Sequence, residues 1–320
     1  MQMDQHNKAI TFDDISLVPQ FTEAEREDID IRSSLFEMPM LVPIISSPMD
    51  TISGIGMLEA MLYGGGFGIH HRYCEAEYLI KASDYGGIAV APSMGLKLFE
   101  WMIKYWTGPY PPILCMDIAH GHTKRNLDFC YELVKMGANV ISGNIVTAYA
   151  AEAYLNIGVK ILRVGIGSGS VCSTRIVTGV GIPQLTAIRD VYEACWHEPN
   201  AIIISDGGHR TTGDIVKALA FGADFVMLGG MLAGTDEAEG GTLFRGMASA
   251  GALSERKKEF FVEGISKEVE PKGSVVKVLD EIKNAIETAC YYLGATNLKE
   301  LKGAEYVYVT HNGYIEGLPK

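Results

Sequence analysis

The chain contains no run of about 18 apolar residues, so it offers no membrane-spanning helix. Its first residues, Met1–Ala9, are polar and lack the apolar stretch of a secretory signal. Positive charge is scarce: 27 Lys and Arg stand against 39 Asp and Glu, a formal charge of −12. That excludes a protein whose main task is coating duplex DNA, which needs a dense basic field. It leaves room for a phosphorylated small molecule, which needs only a local site. Neither nucleic acid nor a membrane is therefore expected as a partner. The six cysteines include no CxxC and form no disulfide-dense pattern, which fits a reducing, cytoplasmic setting. No Pro/Ser-rich linker and no inserted domain interrupts the chain.

What the chain does have is a series of short apolar runs. They are Val42–Ser46, Gly66–His70, Gly87–Ala91, Ile113–Ile118, Asn139–Gly143, Ile161–Gly165, Ala201–Ser205 and Phe225–Gly229. Each is followed by a helix-like segment. Continuous apolar runs of this length are what parallel strands buried on both faces require. Their repetition predicts an α/β fold, a (β/α)8 barrel, as a single domain over 1–320. Residues 1–41 read as an N-terminal extension, a short hairpin or cap under the barrel. Leu232–Gly273 is aperiodic, Gly-rich and then charged (Glu255 to Glu259), and reads as a flap of about 235–273 arching over the active face. Lys277–Leu293 reads as the last barrel helix, with Val278, Ile282, Ile286, Ala289 and Leu293 on one face. Tyr306–Thr310 is β-like. In such a barrel, chemistry follows the C-terminal ends of the runs, and phosphate binds after runs seven and eight.

Those positions are rich in reactive residues. Run six leads into Gly165-Ile166-Gly167-Ser168-Gly169-Ser170-Val171-Cys172-Ser173-Thr174-Arg175. Its glycines permit a tight loop whose amides converge on an anion or a polarised oxygen. Cys172 is a candidate nucleophile, with the amides and Arg175 available to stabilise a thiolate. The bland alternative is a small buried residue. The glycine spacing does not make a dinucleotide βαβ unit, since it does not open the first strand. Run seven ends in Ser205-Asp206-Gly207-Gly208-His209-Arg210, and run eight in Gly229-Gly230-Met231. Paired glycines there suit phosphate binding by backbone amides, with Asp206 accepting from sugar hydroxyls. Otherwise they only make tight turns. Run four ends in Asp117-Ile118-Ala119-His120-Gly121-His122; no third ligand stands at zinc spacing, so Asp117 reads as orienting a substrate or cofactor. His70-His71-Arg72 is either a solvated basic turn or a reader of cofactor phosphate.

Several segments carry a family resemblance. Thr11–Val18 (TFDDISLV), Ser46–Thr51 (SSPMDT), Gly165–Thr174 (GIGSGSVCST) with Gly179–Ile188 (GVGIPQLTAI), Ile204–Gly208 (ISDGG) and Gly222–Gly234 (GADFVMLGGMLAG) together resemble the IMP dehydrogenases and GMP reductases. The resemblance covers nearly the whole chain. It implies a barrel, usually a homotetramer, that binds a purine nucleoside monophosphate (GMP or IMP) and a nicotinamide dinucleotide. It makes Cys172 the nucleophile at purine C2. It puts Ser170, Gly208, Gly229 and Gly230 at the phosphate, Asp206 at the ribose, and Ser47, Met49, Met247 and Ala248 around ribose and base. Asp117, Ala119, His71, Arg72 and Arg175 fall to the cofactor, and Thr174 pairs with the Glu263-Gly264 step. K+ held by the backbone carbonyls of Gly167, Gly169 and Cys172 is part of the same implication.

The two branches form the same Cys-linked intermediate from opposite sides. Three features resemble the reductases. No CBS regulatory domain stands between runs two and three, only Tyr73–Tyr85. The flap is short, and its Arg256 is followed by Lys257 rather than by the Tyr with which dehydrogenases activate water. The ISDGG and GADFVMLGGMLAG runs are reductase-like. SSPMDT and Arg175–Gly181 look more like the dehydrogenases, Ser168 stands where members carry Pro, and Phe244 where dehydrogenases carry a phosphate-binding Tyr. The expectation is NADPH-dependent reductive deamination of GMP. The alternatives are an NAD-dependent IMP dehydrogenase without the CBS domain, or a barrel that only senses purine nucleotides.

Overall fold

A computed structural model describes residues 8–104, 112–256 and 261–318. The N-terminal segment carries strand β1 (Ile15–Leu17) and a hairpin of β2 (Ser33–Leu35) and β3 (Met38–Met40). Eight parallel strands follow: β4 (Ile44–Ser46), β5 (Phe67–His70), β6 (Gly87–Val90), β7 (Ile113–Met116), β8 (Asn139–Ile145), β9 (Ile161–Val164), β10 (Ile202–Asp206) and β11 (Phe225–Leu228). Each pairs with the next, and β11 pairs with β4, so the sheet closes into a barrel. The fold is the (β/α)8 barrel that the apolar runs predict, one strand per run. Between the strands lie α1 (Ile55–Tyr63), α2 (Ala76–Ala82), α3 (Leu96–Lys104), α4 (Lys124–Lys135), α5 (Ala148–Asn156), α6 (Thr174–Thr178) with α7 (Gln184–Ala194), and α8 (Thr212–Ala220).

The period of two along each strand divides the core into two parts. Ile45, Ile69, Ala89, Cys115, Ile141, Ile161, Ile204 and Phe225 point inward and fill the barrel. Their neighbours Ile44, Val90, Leu114, Leu162, Ile203 and Val226 point outward and pack under the helices. Both faces are buried, which is why the strands read as continuous apolar runs rather than alternating ones. The β2–β3 hairpin lies at the N-terminal end. Its Leu35 and Met40, at 0% and 2% exposure, join the interior cluster and plug the barrel floor.

After β11 the segment expected to be aperiodic contains short elements: β12 (Leu243–Arg245), α9 (Ala250–Glu255) and β13 (Ser266–Glu268), with β12 and β13 antiparallel. Lys257, Lys258 and Glu259 of the expected charged stretch lie outside the described residues, as do Met1–Asn7 of the extension. The last barrel helix, α10 (Val275–Tyr292), starts earlier than predicted, capped by Ser274. Its deepest face is Val275, Leu279, Ile282, Ile286 and Cys290; Val278, Ala289 and Leu293 are only partly buried against the core. The apolar face is thus rotated from the one predicted, because Leu279 and Cys290 fill space against the barrel. Strand β14 (Tyr306–Tyr308) pairs with β1 and ties the chain ends together. Among the described residues no helix is long and apolar enough to cross a membrane.

Truncating the plug tests this packing. Leu35→Ala should destabilise the protein by about 2–5 kcal/mol in urea unfolding, as for other fully buried Leu side chains. A loss below about 1 kcal/mol would show that the hairpin does not seal the floor.

Candidate active site

A cavity of about 900 Å³ opens at the C-terminal ends of the barrel strands. Cys172 stands on the loop leaving β9 and is the exposed one of six free cysteines. Burial pushes the thiol of Cys115 up to about 12 and those of Cys130, Cys195 and Cys290 up to about 11. Those four are held as inert thiols. The Cys172 thiol donates to Thr174 Oγ1 at 3.1 Å, and the Thr174 hydroxyl donates to Glu263 Oε2 at 2.8 Å.

Backbone, rather than side-chain reach, sets this line. Ser173 N–H donates to the Glu263 carbonyl at 3.0 Å, Ile265 N–H to the Val171 carbonyl at 3.0 Å, and Glu263 N–H to the Ala248 carbonyl at 3.1 Å. The flap is thereby stitched to the Cys loop. Gly264 is what permits it, because a Cβ there would lie 3.2 Å from each of Gly246 Cα, Ser249 N and the Val171 carbonyl.

A second group of charges sits beneath the cavity. Arg163 projects from β9 with its side chain 8% exposed. It donates through Nε to Asp206 Oδ2 at 2.8 Å, and its Nη1 lies 3.7 Å from Asp117 Oδ1. Burial alone would lower its pKa, but the carboxylates of Asp206 and Asp117 outweigh that and hold the guanidinium charged. Asn144 Nδ2 also donates to Asp206 Oδ2, at 2.7 Å. Both bonds use one carboxylate oxygen and fix its plane; among the described residues no side chain is bonded to the other oxygen, which suits a sugar hydroxyl. Arg72 Nε donates to Asp117 Oδ2 at 3.0 Å.

The doubled glycines line the same cavity. Gly207 adopts φ +96°, and a Cβ there would come 2.7 Å from Ser168 Oγ, so the loop after β10 can lie against the Cys loop only without a side chain. Ser168 donates to Gln184 Oε1 at 2.8 Å, and Gln184 Nε2 donates to Ser205 Oγ at 3.1 Å. Ser170 lies beside Gly230, with Phe244 packed over Gly229 and Gly230. Ser47, Met49, Gly167, Gly169, Gly208, Ala119, Met247 and Ala248 also line the cavity.

Two expected residues do not. His71 is buried behind the wall, its Nδ1 accepting from Tyr73 N–H at 3.2 Å. Arg175 lays its aliphatic stem against Gly167 and Gly181, outside the lining. Nor do His120 and His122 gather a metal set: His122 packs edge-on against Tyr149 at 5.2 Å. Of the three carbonyls expected to hold K+, that of Gly169 accepts from Cys172 N–H at 3.0 Å, which occupies one of its two lone pairs.

The structure also assembles residues that the sequence reading passed over. Arg163 and Asn144 are two. Tyr73 and Arg256 are a second pair, brought together from the β5–α2 loop and the flap. The Arg256 guanidinium stacks 3.4 Å from the Tyr73 ring centre, with Arg72 at 4.3 Å. Arg256 also pairs with Asp50 and donates to the Met247 carbonyl at 2.7 Å. Burial, followed by Asp117, pushes the Tyr73 phenol up, so it stays protonated at neutral pH. An Arg inside an apolar run was the visible signal for Arg163. No local signal links Tyr73 with Arg256.

His209 lines the cavity, with Nε2 3.0 Å from Ser205 Oγ and its ring 5.1 Å from that of Phe12. Burial pushes its pKa down to about 3. The unfolded chain therefore takes up a proton that the folded protein refuses. The stability this neutral imidazole contributes is complete above about pH 6.5 and is lost as pH falls toward 3. Urea unfolding between pH 7 and pH 5 should show a slope that His209→Phe reduces by up to about 1.4 kcal/mol per pH unit. An unchanged slope would mean that folding does not lower the pKa of His209.

Comparison with known proteins agrees with this geometry. The profile described as "IMP dehydrogenase / GMP reductase domain" matches residues 9–84 and 111–320. The chain is 30% identical to the inosine-5'-monophosphate dehydrogenase of Borreliella burgdorferi over 392 aligned positions, covering 98% of this chain and 96% of that protein. It is 42% identical to the enzyme of the same name from Aquifex aeolicus over 227 residues, 64% of this chain and 46% of that protein. It is 34% identical to human GMP reductase 2 over 325 residues, with 91% of each chain covered. On this similarity, the barrel and the Cys loop at its mouth belong to the IMP dehydrogenase / GMP reductase family of oxidoreductases.

Proposed function

We propose that the chain is a GMP reductase, converting GMP and NADPH to IMP, ammonia and NADP. The observation that carries the reading is the line Cys172–Thr174–Glu263, which joins a nucleophile to a carboxylate through one hydroxyl. The thiol passes its proton to Glu263 through Thr174, and the thiolate adds to C2 of the purine. Glu263 and Thr174 return the proton to the departing 2-amino group. That step is needed because an amide ion is a very poor leaving group. NADPH, when bound, would supply a hydride to C2, with sulfur leaving as the Cys172 thiolate. The absence of an adjacent Arg-Tyr pair in the flap supports this branch; similarity to both GMP reductase 2 and the dehydrogenases supports the family alone.

In this reading Asp206 holds the ribose, and Ser170 with Gly208, Gly229 and Gly230 holds the phosphate. Ser47, Met49, Met247 and Ala248 enclose the sugar and base. Asp117, Ala119 and Arg72 face the cofactor, and the cavity volume suits a nucleotide with a nicotinamide beside it. His71 and Arg175, which do not line the cavity, act through their neighbours. The carbonyls of Gly167, Gly169 and Cys172 are the K+ position in this reading, and the assembly is a cytoplasmic homotetramer.

One observation favours the dehydrogenase instead. Arg256 stacked on Tyr73 is an Arg–Tyr pair in space, although not in sequence, and it lines the cavity. In that reading NAD takes hydride from IMP, and the pair activates water. Assays of GMP with NADPH beside IMP with NAD decide. The expected result is NADPH-dependent loss of GMP with ammonia release. XMP formation from IMP and NAD, with no loss of GMP, would overturn the reductase.

Two variants test the roles. Cys172→Ala should reduce turnover to background while calorimetry still shows nucleotide binding, since the phosphate and ribose contacts lie elsewhere. Retained turnover would remove the covalent step. Glu263→Gln should slow deamination of GMP by about 10²–10⁴-fold, and slow hydride transfer from IMP to NADP less, because that direction uses Glu263 only to take the thiol proton and moves none to nitrogen. Equal losses in both directions would show that Glu263 serves the thiol alone.

A further inference from the structure

The turn after β5 gathers a second set of reactive side chains behind the cavity wall. Consecutive strand residues point to opposite faces, but β5 ends at His70 and the chain turns at once. The rings of His70 and His71 therefore lie together, 4.7 Å between centres and 31° between planes. Cys74 returns to the same place, its Sγ 3.9 Å from His70 Nδ1 and 3.7 Å from the His71 carbonyl. One nitrogen from each imidazole and the sulfur lie within 4.8 Å of one another. We propose that His70, His71 and Cys74 bind a divalent cation of the zinc type, which locks the loop presenting Arg72 and Tyr73 to the cavity.

The donor set suits such an ion. Two imidazoles and a thiolate select zinc over magnesium or calcium, which prefer oxygen. Tetrahedral zinc, with bonds of about 2.0–2.3 Å, sets its ligands about 3.3–3.8 Å apart. The ligand atoms that the three side chains offer lie within 4.8 Å of one another, and side-chain rotation of about 1 Å closes the gap. His70 Nδ1, 3.9 Å from Cys74 Sγ, is the ring nitrogen that faces the site, and ligation through it exchanges its 2.7 Å contact with the His71 carbonyl for the metal bond. His71 gives up only a long bond from Tyr73 N–H.

The electrostatics point the same way. Burial and then His70 push His71 down to about 4, so it is neutral at physiological pH. Burial lowers His70 as well. Burial, Glu239 and Glu75 push the Cys74 thiol up to about 11. The same carboxylates that disfavour a bare thiolate favour a cation beside it, and Glu239 acts on both His70 and Cys74. Binding releases the Cys74 proton and forms a metal–sulfur bond; no electron is transferred. Both imidazoles are buried, whereas Cys74 is half-exposed and marks the entry side.

Cobalt(II) added to the full-length chain tests the site without reference to turnover. The expected result is a thiolate-to-cobalt charge-transfer band that saturates at one equivalent and is displaced by zinc. Cys74→Ser should abolish the band, Cys172→Ser should retain it, and His70→Gln should weaken affinity at least about tenfold. Circular dichroism of each variant reports folding, and if Cys74→Ser does not fold, His70→Gln decides alone. No band at one equivalent, a band surviving Cys74→Ser, or one lost only in Cys172→Ser would overturn the proposal. None of these outcomes depends on which purine reaction the cavity performs.

Discussion

A guanidinium buried at the mouth of the barrel organises everything above it. Arg163 cannot sit uncompensated in that position, because a lone buried charge costs several kcal/mol. It is stabilised by Asp206 from the end of β10 and Asp117 from the end of β7, and it donates to the Met116 carbonyl at 3.4 Å. The converse also holds. Without the cation, two carboxylates would face one another below the cavity. The ion cluster thus ties three strand ends together and turns Asp206 so that one oxygen is held and the other is left for a ligand.

The upper half of the site depends on a different kind of constraint. Glu263 is more than 80 residues from Thr174 in sequence, yet their side chains meet at 2.8 Å. Side-chain reach across a loose flap would cost conformational entropy each time. Here a short run of backbone hydrogen bonds, from Val171 and Ser173 to Glu263 and Ile265, sets the register first. The carboxylate position then follows from the chain path. Arg245 and Arg256 anchor the other end of the flap on Asp50. The flap is fixed at two places, one beside Cys172 and one beside Tyr73.

How much of this was legible follows from the same physics. The eight strands were visible because burial on both faces removes polar residues from them. The glycine pairs and Cys172 were visible because parallel barrels put their loops at strand ends. Strands β12 and β13 were not, since three-residue strands are set by their partners rather than by their own periodicity. The face of α10 was misjudged by a fraction of a turn, where Val278 and Leu293 fit a helical stripe as well as Leu279 and Cys290 do. His71 and Arg175 were assigned to the cofactor through the family resemblance, which carries no information on which way their side chains turn. The turn after β5 carries His71 behind the wall, and the stem of Arg175 is needed to cover Gly167. Asn144 was hidden because Gly143-Asn144 resembles a turn, although it belongs to β8.

The Arg–Tyr contact shows where reading along the chain stops. Sequence adjacency was the test by which the flap was judged to lack a water-activating pair. Barrel closure makes adjacency unnecessary, because every βα loop meets every other over one mouth. Tyr73 arrives from β5 and Arg256 from beyond β11, and they stack. This does not by itself supply a base. The phenol is held protonated by burial and Asp117, and Arg256 is already paired with Asp50. To activate water, the pair would have to shed Asp50 or bring the phenol away from Asp117, and either move breaks an ion cluster that anchors the flap. The proton line through Thr174 requires no such rearrangement. That difference in reorganisation favours the proposed reading, with proton delivery at Glu263, over one in which Tyr73 and Arg256 activate water.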